Sequence, residues 1–228
     1  DADTLQKRRA PLIATLRETF GQRIEPSVTT DSNDVLINSI NAGGHRLITL
    51  INDRRTYGPW AGRFRTIHDA GVAQSPEVTV RLSNPNAVLY DLLRHHRVAA
   101  ADAEDGTAVF QRPLGPGAGA YIMETPEAIG QIRVNAGAPE SKRKPVTVEV
   151  RIHGVSGDPM PGLLPVSVEV LDATGTPTEY SRYDCTESGR MTFNFQPALN
   201  EAGGAWTVRV TDLASGKEDR TFVEIPRE

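Results

Sequence analysis

Cysteine is almost missing: Cys185 is the only one in 228 residues, which excludes an internal disulfide and any metal site built from several thiolates. Long apolar runs are missing too. No stretch approaches the roughly 18–20 residues of a membrane-crossing helix, so no membrane span is expected. Aromatic residues make up only 6% of the chain, so any local concentration of them draws notice. Motifs of catalysis are equally scarce. There is no Gly-x-Ser-x-Gly elbow. The segment Gly115-Pro-Gly-Ala-Gly119 lacks the Lys-Ser/Thr ending and following helix of a phosphate-binding loop and reads as a plain turn. His45, His68, His95, His96 and His153 include no pair at i, i+4, and adjacent His95 and His96 would point to opposite sides of a strand. Neither a metal site nor a cofactor is expected.

Charge narrows the partners. The formal net charge is −4, but residues 1–145 carry 18 basic and 16 acidic side chains against 7 and 13 in 146–228. The acidic second half argues against a nucleic-acid partner, because affinity there comes mainly from neutralising phosphates. Lys142-Arg143-Lys144, between Pro139 and Pro145, reads as a solvated linker. The chain starts at Asp1 with no segment of the signal-peptide kind and is read as a processed chain or a fragment.

What is present is strand patterning. Leu12, Ile13, Leu16 and Phe20 form one helical stripe, with Pro11 suited to a first turn and Gly21 to a stop. A single amphipathic helix cannot bury its own stripe, so this one is expected to lie against the first sandwich, a preceding domain or another copy. Residues 35–40 and 46–52 flank Asn41-Ala-Gly-Gly-His45 and predict a hairpin. Further strands are predicted at 77–82, 87–91, 108–111, 120–124 and 130–135. From Pro145 onward, strands are predicted at 146–152, 166–171, 178–183, 190–195, 205–211 and 220–225, the spacing of an immunoglobulin-like sandwich. Trp206 alternates in phase with Val208 and Val210 and is predicted to face the core. The predicted fold is all-β: a helical stub at 1–24, a first β-sandwich at 25–139, a linker at 140–145 and an Ig-like β-sandwich at 146–228.

Two resemblances follow from these segments. The run Asp34-Val-Leu-Ile-Asn-Ser-Ile40 with His45-Arg-Leu-Ile-Thr-Leu-Ile-Asn52, followed by 88–91 and 114–121, resembles the C-terminal β-sandwich accessory modules of bacterial glycoside hydrolase-like proteins. The segments 161–172, 189–195 and 204–212 resemble macroglobulin-like and other Ig-like repeats of surface proteins. The resemblance implies an accessory role outside the cytoplasm, extracellular or periplasmic. It also implies a partner in an upstream domain or another protein, and an active site, if any, upstream of Asp1. No catalytic residue transfers with it.

Candidate chemistry reduces to a few groups. Asp53 with Asp69, or Glu124 with Glu127, would be a glycosidase pair only if the two carboxyls stood about 5–10 Å apart; a solvated or turn-capping role is the expectation for each. Cys185 lacks a histidine-bearing signature and is expected to be buried as a small apolar side chain. The remaining candidate is the irregular segment 53–65, where Tyr57, Trp60 and Phe64 stand among arginines that include Arg63. Flat rings beside cations suit a polysaccharide ligand, and they equally suit a plug at the end of the first sandwich. The expected function is a non-catalytic spacer or docking region, with carbohydrate binding through Tyr57, Trp60, Arg63 and Phe64 as the alternative.

Overall fold

A computed structural model describes residues 11–16, 18–20, 26–32, 34–53, 77–102, 106–115 and 117–227, and they are mostly β-strand. The first sandwich uses β1 (Val28–Thr30), β2 (Val35–Asn41), β3 (Arg46–Asn52), β4 (Glu77–Leu82), β5 (Val88–Asp91), β6 (His96–Val98), β7 (Ala101–Asp102), β8 (Ala108–Pro113) and β9 (Gly119–Thr125). One sheet has the order β1-β4-β8-β7 and the other β2-β3-β9-β5-β6. In β4 the burial alternates residue by residue, with Val78, Val80 and Leu82 inward, as a pleated strand with one wet face requires. Ile48, Leu50 and Ile122 from the opposite sheet close the same core.

The second sandwich contains β10 (Ile129–Ala136), β11 (Val146–Gly154), β12 (Leu163–Leu171), β13 (Arg182–Glu187), β14 (Arg190–Phe195), β15 (Gly204–Asp212) and β16 (Glu218–Ile225). Its hydrogen bonds run in one ladder, β10-β11-β14-β13-β12-β15-β16. That ladder folds over at a single point. β13 and β14 share only the pair Glu187↔Arg190, around a turn where Ser188 and Gly189 have φ of 50° and 70°. Three strands therefore face four: Val148, Val150 and Phe193 from one layer meet Val168, Trp206 and Val208 from the other. A constant-type immunoglobulin domain keeps its fourth strand in the first layer. Here the fourth strand, β13, pairs with β12 at six positions and belongs to the second layer. Trp206 is fully buried as its phase requires. Its ring stacks on Phe195 at 6.1 Å, and its Nε1–H donates to the Ala202 carbonyl.

Five sequence expectations are corrected. The strand at 130–135, assigned to the first sandwich, pairs with β11 from Ile129↔Gly154 to Ala136↔Val148 and so belongs to the second. Residues 140–145 consequently join two strands of one sheet rather than two modules. Lys142 is not solvated. It is buried, and its Nζ donates to the carbonyls of Leu199 and Glu201, replacing the water it loses. The strand predicted at 178–183 begins only at Arg182, because Thr178 and Ser181 turn back to bond the Val170 backbone while Tyr180 stacks on Phe195. Cys185 is exposed, since Thr186 takes the inward position in β13.

Residues 11–16 and 18–20 are helical, as expected for that part of the stub, and residues 1–10 and 17 lie outside the described set. Leu12, Leu16 and Phe20 remain 58%, 46% and 50% exposed, so the described residues do not cover its apolar stripe.

Candidate functional site

Tyr57, Trp60, Arg63 and Phe64 lie outside the described residues, as do His68 and Asp69. The structure instead gathers unusual side chains at the seam between the two sandwiches. The core of the second sandwich continues into the first: Tyr90 on β5 and Met123 on β9 are buried in the same cluster as Ile129, Val166 and Val210, with Leu47, Val88 and Leu92 packed on it. The Tyr90 hydroxyl accepts the Ile129 N–H at 2.8 Å. Burial raises the Tyr90 pKa, which leaves it a neutral hydrogen-bonding group.

Two glycines bring the modules into backbone contact. Gly162, in the loop that Pro159-Met-Pro161 opens, has φ +71° and lies under the β2–β3 loop. A Cβ there would stand 2.6 Å from the Ala42 carbonyl oxygen, 2.8 Å from that of Gly43 and 2.9 Å from His45 Cδ2. Next to it the Leu163 N–H donates to the Ala42 carbonyl at 3.2 Å. Gly216, also at φ +71°, holds the second contact: a Cβ would stand 2.6 Å from the His95 carbonyl oxygen.

Asp212 shapes that second contact. Its carboxylate is fully buried and accepts the N–H groups of Ala214 and Ser215 and the Ser215 hydroxyl, an Asx-type turn that presents Leu213 and Gly216 outward. Burial pushes the Asp212 carboxyl pKa up, while the Ser215 hydrogen bonds and the nearby His95 pull it down. The Leu213 carbonyl lies 2.5 Å from His95 Nδ1. His95 itself sits at φ +53°, in a turn that Asp91 Oδ1 caps by accepting the Leu93 and Arg94 N–H groups. Asp91 is also fully buried, and Arg112 Nη2 from the other sheet lies 2.5 Å from its Oδ2.

A shallow cleft borders the Gly162 contact, and its lining includes Asn41, His45, Arg46, Asn84, Glu124 and Thr125. Glu124 is held by Arg46 Nε at 2.6 Å and by Asn84 Nδ2 at 3.1 Å. Glu127 faces elsewhere: it accepts the N–H and hydroxyl of Ser156, and these bonds lower its pKa. The two carboxylates thus have separate structural partners. His45 is buried, which lowers its pKa, and neither ring nitrogen has a hydrogen-bond partner among the described residues. The Cys185 thiol is raised by desolvation and then by Asp184, so the thiolate that thiol chemistry needs is disfavoured. Among the described residues no cluster of His, Cys, Asp and Glu has the makings of a metal site.

Sequence reasoning missed Gly162, Gly216, His45, His95 and Asp212 as members of one site. The available signal was turn chemistry. Pro161-Gly162 and Asp212-Leu-Ala-Ser-Gly216 both read as turns, but nothing in one sequence says that two turns meet the same neighbour.

No protein-family model and no curated protein matches this sequence. Among solved structures the chain is similar to the Yersinia pseudotuberculosis adhesin InvE, at 13% identity and a TM-score of 0.36 over 87% of this chain and 60% of that one. It is similar to the dimeric latent PorU of Porphyromonas gingivalis, at 13% and 0.31 over 87% of this chain and 20% of that one. It is also similar to red sea bream transglutaminase, at 10% and 0.30 over 94% and 33%. The chain therefore spans at most 60% of these three proteins. At such TM-scores the likenesses carry no functional argument, and no family match stands behind a glycoside hydrolase association.

Proposed function

We propose that this chain is a non-catalytic accessory or interaction region of a larger bacterial extracytoplasmic protein, in which the two sandwiches act as one rigid spacer or docking unit. The observation that supports this reading is the seam. Domains joined by a small polar contact move relative to one another by default, whereas here Tyr90 and Met123 share a buried apolar core with the second sandwich and two glycines admit direct backbone contact. Such a joint transmits orientation, which a spacer or docking unit needs and an isolated binding module does not. The bacterial and extracytoplasmic setting follows from the resemblance of both modules to accessory and surface-protein repeats.

The test is a joint panel on the purified chain: binding to diverse polysaccharides, and hydrolysis of glycoside, ester and peptide substrates. The expected result is neither binding nor turnover. Turnover at an enzymatic rate would overturn the proposal. Saturable polysaccharide binding that disappears in Trp60→Ala, with the circular dichroism spectrum unchanged, would replace it with a sugar-binding role.

A further inference from the structure

Proteins blunt the open edges of their sheets with short strands, charges, prolines or bulges, because an unprotected edge pairs with other chains. Most edges among the described residues follow that rule. β1, β6 and β7 are two or three residues long. β16 carries Glu218, Asp219, Arg220 and Glu224, and β10 has a register shift between Ile129 and Gln131. β2 does not. Among the described residues it is the edge of its five-stranded sheet, seven residues long, with no charge and no proline, and its register with β3 is unbroken. Leu36 and Ile40 are 55% and 54% exposed on its outer face, continuous with exposed Ile51, the partner of Leu36 on β3.

The backbone groups of β2 that no described strand takes up can be assigned residue by residue. The Asp53 N–H donates to the Asp34 carbonyl and the Ala42 N–H to the His45 carbonyl, both in the register Val35↔Asn52 to Asn41↔Arg46. Hydrogen-bonded pairs alternate along an antiparallel ladder, so residues 36, 38 and 40 face β3 with their backbone groups. Those of Ile37 and Ser39, flanked by Val35 and Asn41, point away from the sheet.

We propose that β2 pairs antiparallel with β2 of a second copy of this chain, about a two-fold axis at Asn38. In that register the outward N–H and C=O groups of Ile37 oppose those of Ser39 of the second copy, and the Val35 carbonyl faces the Asn41 N–H, while the Val35 N–H stays with the Ser32 carbonyl of its own chain. Leu36 then opposes Ile40 in a non-hydrogen-bonded pair, where side chains approach most closely. No charge is buried or opposed, and two five-stranded sheets become one sheet with its apolar outer face continuous. A self-complementary patch of this kind, in which residue i meets j and j meets i, is what a closed two-fold dimer requires. This association is independent of the spacer reading, which stands or falls on the seam.

The test is light scattering coupled to size exclusion, and sedimentation equilibrium, on the intact chain over a range of concentrations. Asn38 is exposed and faces its own counterpart across the axis, so Asn38→Lys and Asn38→Asp each set like charges opposite each other. Wild type is expected to dimerise. Each variant is expected to raise the dimer dissociation constant by roughly tenfold or more, and an equimolar mixture of the two to recover a heterodimer. Ser39→Pro, which removes an outward N–H and leaves the β3 side intact, is expected to weaken the dimer likewise, with unchanged circular dichroism. A monomeric wild type at every concentration, or dimers that persist unchanged in Asn38→Lys and Asn38→Asp, would overturn the proposal.

Discussion

Gly162→Ala tests the seam at its narrowest point. At φ +71° an L-residue is strained by about 1–2 kcal/mol, and this applies to any glycine in that conformation. The rest is specific to the junction. The added methyl would overlap the Ala42 and Gly43 carbonyl oxygens and the buried His45 ring, two of the three being backbone atoms that cannot swing aside. Overpacking of this kind costs typically about 1–3 kcal/mol, and displacing Ala42 weakens the hydrogen bond from Leu163, worth about 0.5–1.5 kcal/mol. An internal control exists in Gly175, with φ +83° and nothing within 4 Å of an added Cβ. Gly175→Ala bears the backbone strain alone. Urea unfolding is therefore expected to show Gly162→Ala less stable than Gly175→Ala by roughly 1–3 kcal/mol, and small-angle scattering to show a larger radius of gyration for Gly162→Ala only. Equal destabilisation of the two variants would refute the close contact.

Three further outcomes are expected. Trp206→Ala should cost about 3–5 kcal/mol in chemical denaturation, since the ring is fully buried against Phe195; a loss below about 1 kcal/mol would place the ring outside the core. Arg112→Met leaves the buried Asp91 carboxylate without its cation and should cost about 3–5 kcal/mol; a nearly neutral effect would mean that the turn N–H groups compensate that charge by themselves. His45 has a folded-state pKa below its ordinary value because it is buried. Above about pH 6.5 both states are neutral and the stability is fully present. As pH falls through that value the unfolded chain takes up a proton that the folded chain refuses, so stability should decline by no more than about 1.4 kcal/mol per pH unit. His45→Leu should remove this component of the pH profile, and an unchanged profile would count against a buried neutral ring.

Much of the fold is legible in the sequence because alternation is local. Val146, Val148, Val150 and Ile152 announce β11, and Trp206, Val208 and Val210 announce the inward face of β15, since burial at every second position is written directly into the order of residues. Two features are not local. The strand beginning at Ile129 has the same pattern whichever sheet it joins, so only pairing with β11 decides its module. Lys142 looks solvated until the carbonyls of Leu199 and Glu201 arrive from nearly 60 residues away. The seam was the least legible. Its glycines carry a turn signal that says where the chain bends and nothing about what it bends against, and the aromatics at Tyr57, Trp60 and Phe64 attracted notice by type alone.

Residual dipolar couplings on the intact chain measure the central claim most directly, because they report the orientation of each N–H bond in one molecular frame. If the shared core and the two glycine contacts hold the sandwiches as one body, a single alignment tensor should fit strands β2 to β9 and β10 to β16 together. Two tensors of different magnitude or orientation would show modules that move independently, and the rigid spacer would have to be abandoned.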